Sequence, residues 1–265
     1  MVTGNGGTAR TALAIEQIAV QFGGLAALSD LTFAVDEREV VGLIGPNGAG
    51  KTTAFNVITG FLRPTRGEIR YRGRRLNGLS PHEIAEAGLV RTFQKTSVFA
   101  ANSVFENILI GLHLRGRATT WQTLLGMPGF RAEERRLESE AREILDFVGI
   151  AARAGELGGA LPYGEQRLLE VAVALAARPS LLLLDEPVSG MNPSETSSFM
   201  RLLEKIRAQG ITVLLVEHDM RMVMGVSDRV VVLNHGRIIA EGPPGEIQAN
   251  PEVIRAYLGV GVRHA

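Results

Sequence analysis

The sequence predicts an α/β fold built around a parallel sheet, and two observations support this prediction. First, the apolar stretch Val40–Ile44 is followed by a glycine-rich run and then by a helix-like segment that begins near Ala54. Second, three more apolar, strand-like stretches, at 181–184, 212–216 and 229–233, alternate with helix-like segments. Buried strands that alternate with helices are typical of a parallel sheet covered on both faces.

The glycine-rich run at 45–53, GPNGAGKTT, has the pattern G-x-x-x-x-G-K-T of a phosphate-binding loop. Its glycines allow positive φ angles, so that successive backbone N–H groups can surround a polyphosphate in front of a helix N-terminus. Lys51 adds a positive charge for the outer phosphates, and the hydroxyl of Thr52 can ligate Mg²⁺. The candidate binding residues in this run are Gly45, Asn47, Gly48, Gly50, Lys51, Thr52 and Thr53. The sequence therefore predicts a protein that binds a nucleoside triphosphate.

Polar side chains follow two of the other predicted strands. Asp185 and Glu186 end the stretch that begins at 181, and His218 follows the stretch at 212–216. Ligands of such sheets lie at the carboxyl ends of the strands, so Asp185 is expected to hold Mg²⁺ and Glu186 to polarise an attacking water. His218 is expected to reach the γ-phosphate and to help orient that water. The remaining histidines are expected at the surface or in packing contacts: His82, His113, His235 and His264.

Composition limits the classes of function. Lys and Arg total 28 and Asp and Glu total 28, so the chain lacks the basic excess of a general nucleic-acid binder. The arginines at 63–75 are interpreted as the outward charges of a solvated hairpin. The sequence contains no cysteine, which excludes disulfides and thiolate zinc sites. No apolar run approaches the roughly 18–20 residues of a membrane-spanning helix.

The pattern along the chain predicts a small antiparallel β part and an inserted helical part. Residues 13–45 are expected to form short antiparallel strands, and 66–76 a hairpin. Segments at 104–112, 117–126 and 131–148 are expected to be helical. The predicted divisions are a disordered leader (1–12), the first part of the core with its β subdomain (13–95), a helical subdomain (96–162), the second part of the core (163–240) and a helical tail (241–265).

With these motifs in place, nearly the whole chain resembles the nucleotide-binding subunits of ABC transporters. Residues 91–94 (RTFQ) resemble the Q-loop, which implies that Gln94 contacts Mg²⁺ and the attacking water. Phe22 matches the aromatic residue that stacks on the base of ATP. Residues 161–167 (LPYGEQR) resemble the signature sequence, which implies that Gly164 and Glu165 bind ATP held by a second subunit.

The chain departs from the family pattern at three positions. Pro162 replaces the usual signature serine, and Tyr163 replaces the first of the two signature glycines. Proline has neither a hydroxyl nor an N–H, and one missing charge-assisted hydrogen bond would cost roughly 1.5–3 kcal/mol of ATP-driven dimer stability. Asn192 stands in the D-loop (189–193), where many relatives have aspartate. These changes concern contacts between subunits, not the nucleotide site itself.

Several runs are similar to those of ATP-binding subunits of branched-chain amino acid importers: 163–170, 217–220, 223–229 and 250–259. This similarity implies an ATPase on the cytoplasmic side of the inner membrane, with two transmembrane permeases and a second ATP-binding subunit as partners. A solute-binding protein would be an indirect partner. Three alternatives remain: the same ATPase with another cargo, such as urea, amides or lipid; a soluble ABC ATPase; and a metabolic kinase, for which no acceptor-substrate domain is evident.

Overall fold

The computed structural model describes residues 10–92, 98–113 and 128–258. Within these ranges the strands are β1 (Thr11–Phe22), β2 (Leu25–Asp36), β3 (Val40–Ile44), β4 (Arg66–Tyr71), β5 (Arg74–Arg75), β6 (Leu89–Arg91), β7 (Leu181–Asp185), β8 (Thr212–Val216), β9 (Arg229–Asn234) and β10 (Arg237–Gly242). The helices are α1 (Lys51–Ile58), α2 (Pro81–Glu86), α3 (Val104–His113), α4 (Pro128–Val148), α5 (Tyr163–Ala176), α6 (Pro193–Ala208), α7 (Met220–Val226), α8 (Pro244–Ala249) and α9 (Pro251–Leu258).

The central sheet has six strands in the order β10-β9-β3-β8-β7-β6. All of its pairings are parallel except that of β10 with β9. Every residue of β3, β7 and β8 is buried, which explains why these strands are read as continuous apolar runs rather than alternating ones. The predicted parallel α/β core is confirmed.

The antiparallel sheet has the order β2-β1-β4-β5 and packs over one face of the central sheet. Strands β1 and β2 each have 12 residues, and are therefore longer than the short strands predicted. Register shifts interrupt their pairing, and Gln17 and Asp30 have positive φ angles. These bulges break the alternation of apolar and polar residues, so one long strand has the sequence pattern of two short ones.

The two faces of the central sheet are covered by different layers. Val41, Leu43 and Leu214 point toward the antiparallel sheet and α1, whereas Leu182 and Leu215 point toward the helices. Each fully buried leucine of this kind contributes about 1.5–3 kcal/mol relative to an exposed one. Strand β3, which leads into the glycine-rich run at 45–53, thus lies in the middle of the core. Packing on both of its faces holds its carboxyl end in place.

Helices α3 and α4 belong to the inserted helical part, and together with α5 they share one core with the adjacent face of the sheet. The prediction of helices at 104–112 and 131–148 is confirmed within a few residues, while 117–126 lies outside the described residues. Thr11 already belongs to β1 and Ala12 is buried, so the last residues of the stretch predicted as a leader form part of a strand. In the predicted tail, Ile247 of α8 and Val253 of α9 pack into the same core.

Candidate active site

The glycine-rich run forms the loop between β3 and α1, as the sequence predicted. Gly45, Gly48 and Gly50 have φ angles of 153°, 78° and 107°, which side chains rarely tolerate. The loop also passes very close to its neighbours, because a Cβ placed on Gly45 would lie 2.1 Å from the carbonyl oxygen of Leu233. Glycine is therefore required at position 45 by both conformation and space.

Lys51 is the first residue of α1 and is only 7% exposed. Its Nζ donates hydrogen bonds to the carbonyl oxygens of Gly45 at 2.6 Å and Pro46 at 3.0 Å. Burial lowers the pKa of the Lys51 ammonium, while the negative charges of Glu186 and Asp185 oppose that shift. The lysine thus lies within the phosphate-binding loop and close to both strand-end carboxylates.

Glu186 and His218 meet at the carboxyl ends of the neighbouring strands β7 and β8. Oε1 of Glu186 and Nε2 of His218 are 2.9 Å apart. Glu186 has a positive φ of 48°, and its N–H donates to the carbonyl oxygen of Val216. The parallel pairing of β7 with β8 brings together two side chains that are 32 positions apart in the sequence.

Glu217, which sequence reasoning did not single out, accepts hydrogen bonds from backbone close to both members of this pair. It is 3% exposed, and its two oxygens accept hydrogen bonds from the backbone N–H groups of Val188 and His218, both at 2.8 Å. Its place in the sequence, between the apolar stretch 212–216 and His218, could have indicated this role. Glu217 positions the loop after Glu186 and the start of the loop that carries His218.

Asp185 pairs with a cation that sequence reasoning also missed. Its Oδ2 accepts a hydrogen bond of 2.6 Å from Nη2 of Arg91, and both side chains are buried. The guanidinium of Arg91 also donates to Asn56 on α1 and lies over the ring of Phe55. Arg91 ends β6, so its guanidinium connects this edge strand both to Asn56 on α1 and to the carboxylate predicted to hold Mg²⁺.

The loop and the strand ends line one cavity of about 350 Å³. Its lining includes Asn47, Gly48, Gly50, Lys51, Thr52, Thr53, Glu186 and His218 from the predicted set, together with Leu25, Ala26, Ala27, Ala49 and His235. Phe22 ends β1 and is 52% exposed, as is required of a residue that stacks on a ligand. Gly45 and Asp185 are buried and are not among the lining residues, and Gln94 is outside the described residues.

The chemistry of the donors fits Mg²⁺ bound together with a nucleotide. Thr52 and Glu186 offer hard oxygen atoms to the cavity, and Asp185 is close enough to act on the charge of Lys51. Over residues 10–92, 98–113 and 128–258, no group of three or more His, Cys, Asp or Glu could hold a metal. Mg²⁺ prefers one or two protein ligands together with phosphate oxygens and water, so this sparse set suits it.

The signature segment lies at the start of α5, away from this cavity. Pro162 occupies the N-cap position without a capping side chain, and Gly164 and Glu165 fall in the first turn. Gly164 and Glu165 line a separate cavity of about 470 Å³. Arg153 binds the carboxylate of Glu165 at 3.0 Å. The predicted site residues are therefore divided between two places on the subunit.

The ring of Tyr163 bridges the signature segment and the loop before α6. A Cβ placed on Gly190 would lie 2.9 Å from Cε1 of Tyr163. Arg167 also lies over this ring and donates to the hydroxyl at 2.7 Å, and Arg167 forms an ion pair with Glu170. The residue that departs from the family glycine thus has a packing role within its own subunit.

Asn192 is the N-cap of α6. Its Oδ1 accepts hydrogen bonds from the N–H groups of Ser194 and Glu195, and its own N–H donates to Oε2 of Glu195. We expect Asn192→Ala to lower the free energy of unfolding by about 1 kcal/mol, because it removes this cap. Urea unfolding measures the loss. Asn192→Asp should retain the parent stability, since aspartate caps equally well; an equal loss for both variants would contradict the capping role.

The fold and the loop define an ATP-binding cassette, and comparison with known proteins agrees. The model of the ABC transporter family matches residues 28–189, and that of the branched-chain amino acid ATP-binding cassette transporter matches 237–263. The chain belongs to the ABC transporter family.

Similar proteins include the high-affinity branched-chain amino acid transport ATP-binding proteins BraF of Pseudomonas aeruginosa and LivG of Salmonella typhimurium. Each is 44% identical to this chain; BraF aligns over 94% of the chain and 98% of its own length, LivG over 93% and 97%. The lipopolysaccharide export ATP-binding protein LptB of Haemophilus influenzae is 34% identical, over 93% of the chain and 97% of its own length. Among solved structures, the ADP conformation of an ABC transporter cassette superposes with a TM-score of 0.83 at 32% identity, covering 94% of this chain and 99% of that one.

Proposed function

We propose that the chain is the ATP-hydrolysing subunit of an importer for branched-chain or related hydrophobic amino acids. The observation that carries the chemistry is the shared cavity in which Lys51 and Thr52 of the phosphate-binding loop meet Glu186 and His218. A phosphate-binding loop alone indicates nucleotide binding, whereas a carboxylate and an imidazole at the adjacent strand ends supply groups for hydrolysis.

The residues have distinct roles in the proposed reaction. The N–H groups of the loop and the Lys51 ammonium bind the β- and γ-phosphates, and Phe22 stacks on the base. Glu186 polarises a water molecule that attacks the γ-phosphorus and takes up its proton. His218 contacts both Glu186 and the γ-phosphate and thereby orients them relative to each other. The bond from the γ-phosphorus to the bridging oxygen breaks, and ADP and inorganic phosphate result.

Thr52, Asp185 and Gln94 are the residues that would hold Mg²⁺. When bound, the ion neutralises charge on the β- and γ-phosphate oxygens. Arg91 orients the carboxylate of Asp185 at the end of β7 through a hydrogen bond to Oδ2. The remaining ligands would be phosphate oxygens and water.

The assignment of cargo rests on the relatives. BraF and LivG are named for branched-chain amino acid transport, and the family model of branched-chain amino acid ATP-binding cassette transporters matches residues 237–263. LptB, named for lipopolysaccharide export, is less similar at 34% identity, which makes lipid transport the weaker candidate. A nucleotide-binding subunit contacts no cargo in this proposal, because selection belongs to the permeases and the solute-binding protein.

The helical part offers a surface for the two transmembrane permeases. Phe99 and Leu157 are 49% and 53% exposed, and they lie on neighbouring segments, since a Cβ on Gly158 would contact Val98 and one on Gly159 would contact Ala100. Exposed apolar side chains grouped in this way are typical of protein interfaces. We place the docking surface here, on the cytoplasmic face of the inner membrane.

In the described parts of the chain, no helix combines the length and the apolar character needed to cross a membrane.

Pairing with a second ATP-binding subunit would bring the signature segment into use. Gly164 and Glu165 lie at the start of α5, where free backbone N–H groups and the helix dipole favour a phosphate. These residues line a different cavity from the subunit's own nucleotide cavity, and we assign them to ATP held by the partner subunit. Each ATP would then bind between two subunits, and hydrolysis would reopen the pair.

Co-purification from native membranes tests the assembly. With this subunit tagged, we expect recovery of two multi-span permeases, a second ATP-binding subunit and a solute-binding protein whose ligand is a hydrophobic amino acid. Leu157→Glu should reduce recovery of the permeases, whereas Ile254→Glu, which adds the same charge on exposed α9, should not. Recovery of only soluble partners would overturn the transport role and leave the ATPase chemistry in place.

A further inference from the structure

His235 occupies a tight turn beside the phosphate-binding loop. Residues His235 and Gly236 form the two-residue connection between β9 and β10, with φ angles of 46° and 75°. Positive φ at both positions is the pattern of a type I′ hairpin, which favours glycine and asparagine. Glycine at 235 would suit this conformation better, so the imidazole is not explained by the turn itself.

The turn is fixed against the nucleotide cavity by its backbone. The N–H of Gly236 donates to the carbonyl oxygen of Ala49 in the phosphate-binding loop at 2.9 Å, and its carbonyl accepts from the N–H of Ser29 on β2 at 2.8 Å. The contact is close, because a Cβ on Gly236 would lie 2.6 Å from the carbonyl oxygen of Ala27. The position of His235 relative to the loop is therefore set by its neighbour.

His235 is exposed and is one of the residues that line the same cavity as Lys51. The strand order β9-β3-β8-β7 places the turn after β9 on one side of the phosphate-binding loop, and Glu186 and His218 on the other. His235 thus approaches from the side of Leu25 and Ala27 on β2. This is the side on which Phe22 ends the adjoining strand β1, and hence the side of the nucleoside.

We propose that His235 is a nucleotide-binding residue that donates a hydrogen bond to an oxygen of the bound nucleotide. The acceptor is either a non-bridging phosphate oxygen or a ribose hydroxyl, since imidazole recognises both in the same way. The inference rests on the proposed function, because it assumes that the cavity binds ATP. It assigns a role to a residue that the sequence motifs left aside as a surface or packing histidine.

The test compares His235→Gly with the parent chain by calorimetric titration without Mg²⁺. Glycine removes the donor and is favoured at this φ, so the turn and the thermal stability should be kept. We expect ATP binding to weaken by about 3- to 10-fold, the loss of one hydrogen bond. The matched control is His82→Ala, on the exposed face of α2, which should bind ATP like the parent.

Two further probes identify the acceptor. An equal loss for inorganic triphosphate indicates a phosphate contact. A loss for ATP with no loss for 2′-deoxy-ATP or triphosphate indicates the ribose 2′-hydroxyl. Unchanged ATP affinity of His235→Gly overturns the inference and leaves the ATPase proposal standing, whereas failure of the parent chain to bind ATP overturns both.

Discussion

Replacement of Glu186 with glutamine should lower ATP hydrolysis by about 10²- to 10⁴-fold, the usual contribution of a positioned general base. The amide keeps the size of the side chain but cannot take up the proton of the attacking water. ATP binding should persist, because the loop and Lys51 are unchanged. Phosphate release measures the first quantity and equilibrium titration the second.

The matched control for this change is Glu86→Gln, which removes the same charge from the exposed end of α2. It should hydrolyse ATP at the parent rate. If the Glu186 variant is trapped with ATP, it should also accumulate as a dimer on size-exclusion chromatography. Unchanged turnover of Glu186→Gln would remove this residue from the catalytic role and direct attention to His218.

Gly45→Ala should be among the most damaging single changes in the chain. The added methyl group would lie 2.1 Å from the carbonyl oxygen of Leu233, with backbone on both sides of the contact. Strain at the positive φ and overpacking together suggest a loss of at least about 3 kcal/mol in the free energy of unfolding. Nucleotide affinity should fall as well, because the loop that carries Lys51 must shift. Urea unfolding and ATP titration measure the two effects.

Gly73→Ala separates conformational strain from the steric clash. Gly73 has a φ of 79° in the turn between β4 and β5, and a Cβ there would meet nothing within 4 Å. This control should cost only about 1–2 kcal/mol, the penalty for a left-handed residue with a Cβ, and should leave ATP binding intact. Similar losses at both positions would mean that strand β9 yields to the new methyl group.

The parts of the fold that the sequence predicted are those encoded by local patterns. Continuous apolar runs identified β3, β7 and β8, and the loop motif identified the position of Lys51. The antiparallel strands were predicted to be too short because bulged residues such as Gln17 disturb the period of two. Outside the described residues, the role of Gln94 stays a prediction.

The parts of the site that the sequence did not predict depend on tertiary contacts. The hydrogen bond between Arg91 and Asp185 joins residues that are 94 positions apart in the sequence, at the ends of β6 and β7. The residues next to either of them in the chain give no sign of this contact. His235 lies at the cavity because the strand order and the hydrogen bond from Gly236 to Ala49 place its turn beside the phosphate-binding loop. A motif identifies residues by their type and spacing in the sequence. It does not identify residues such as Arg91 and His235, which reach the site because of the strand order.

The ring of Tyr163 lies in the space that a side chain at position 190 would need, so substitutions at these two positions depend on each other. Any side chain at 190 would need room that the tyrosine ring now fills, and a smaller residue at 163 would leave Arg167 without the ring and hydroxyl that it contacts. We therefore expect substitutions at these two positions to occur together in evolution. Homologues with a glycine at the position of Tyr163 should accordingly be the ones that accept a side chain at the position of Gly190.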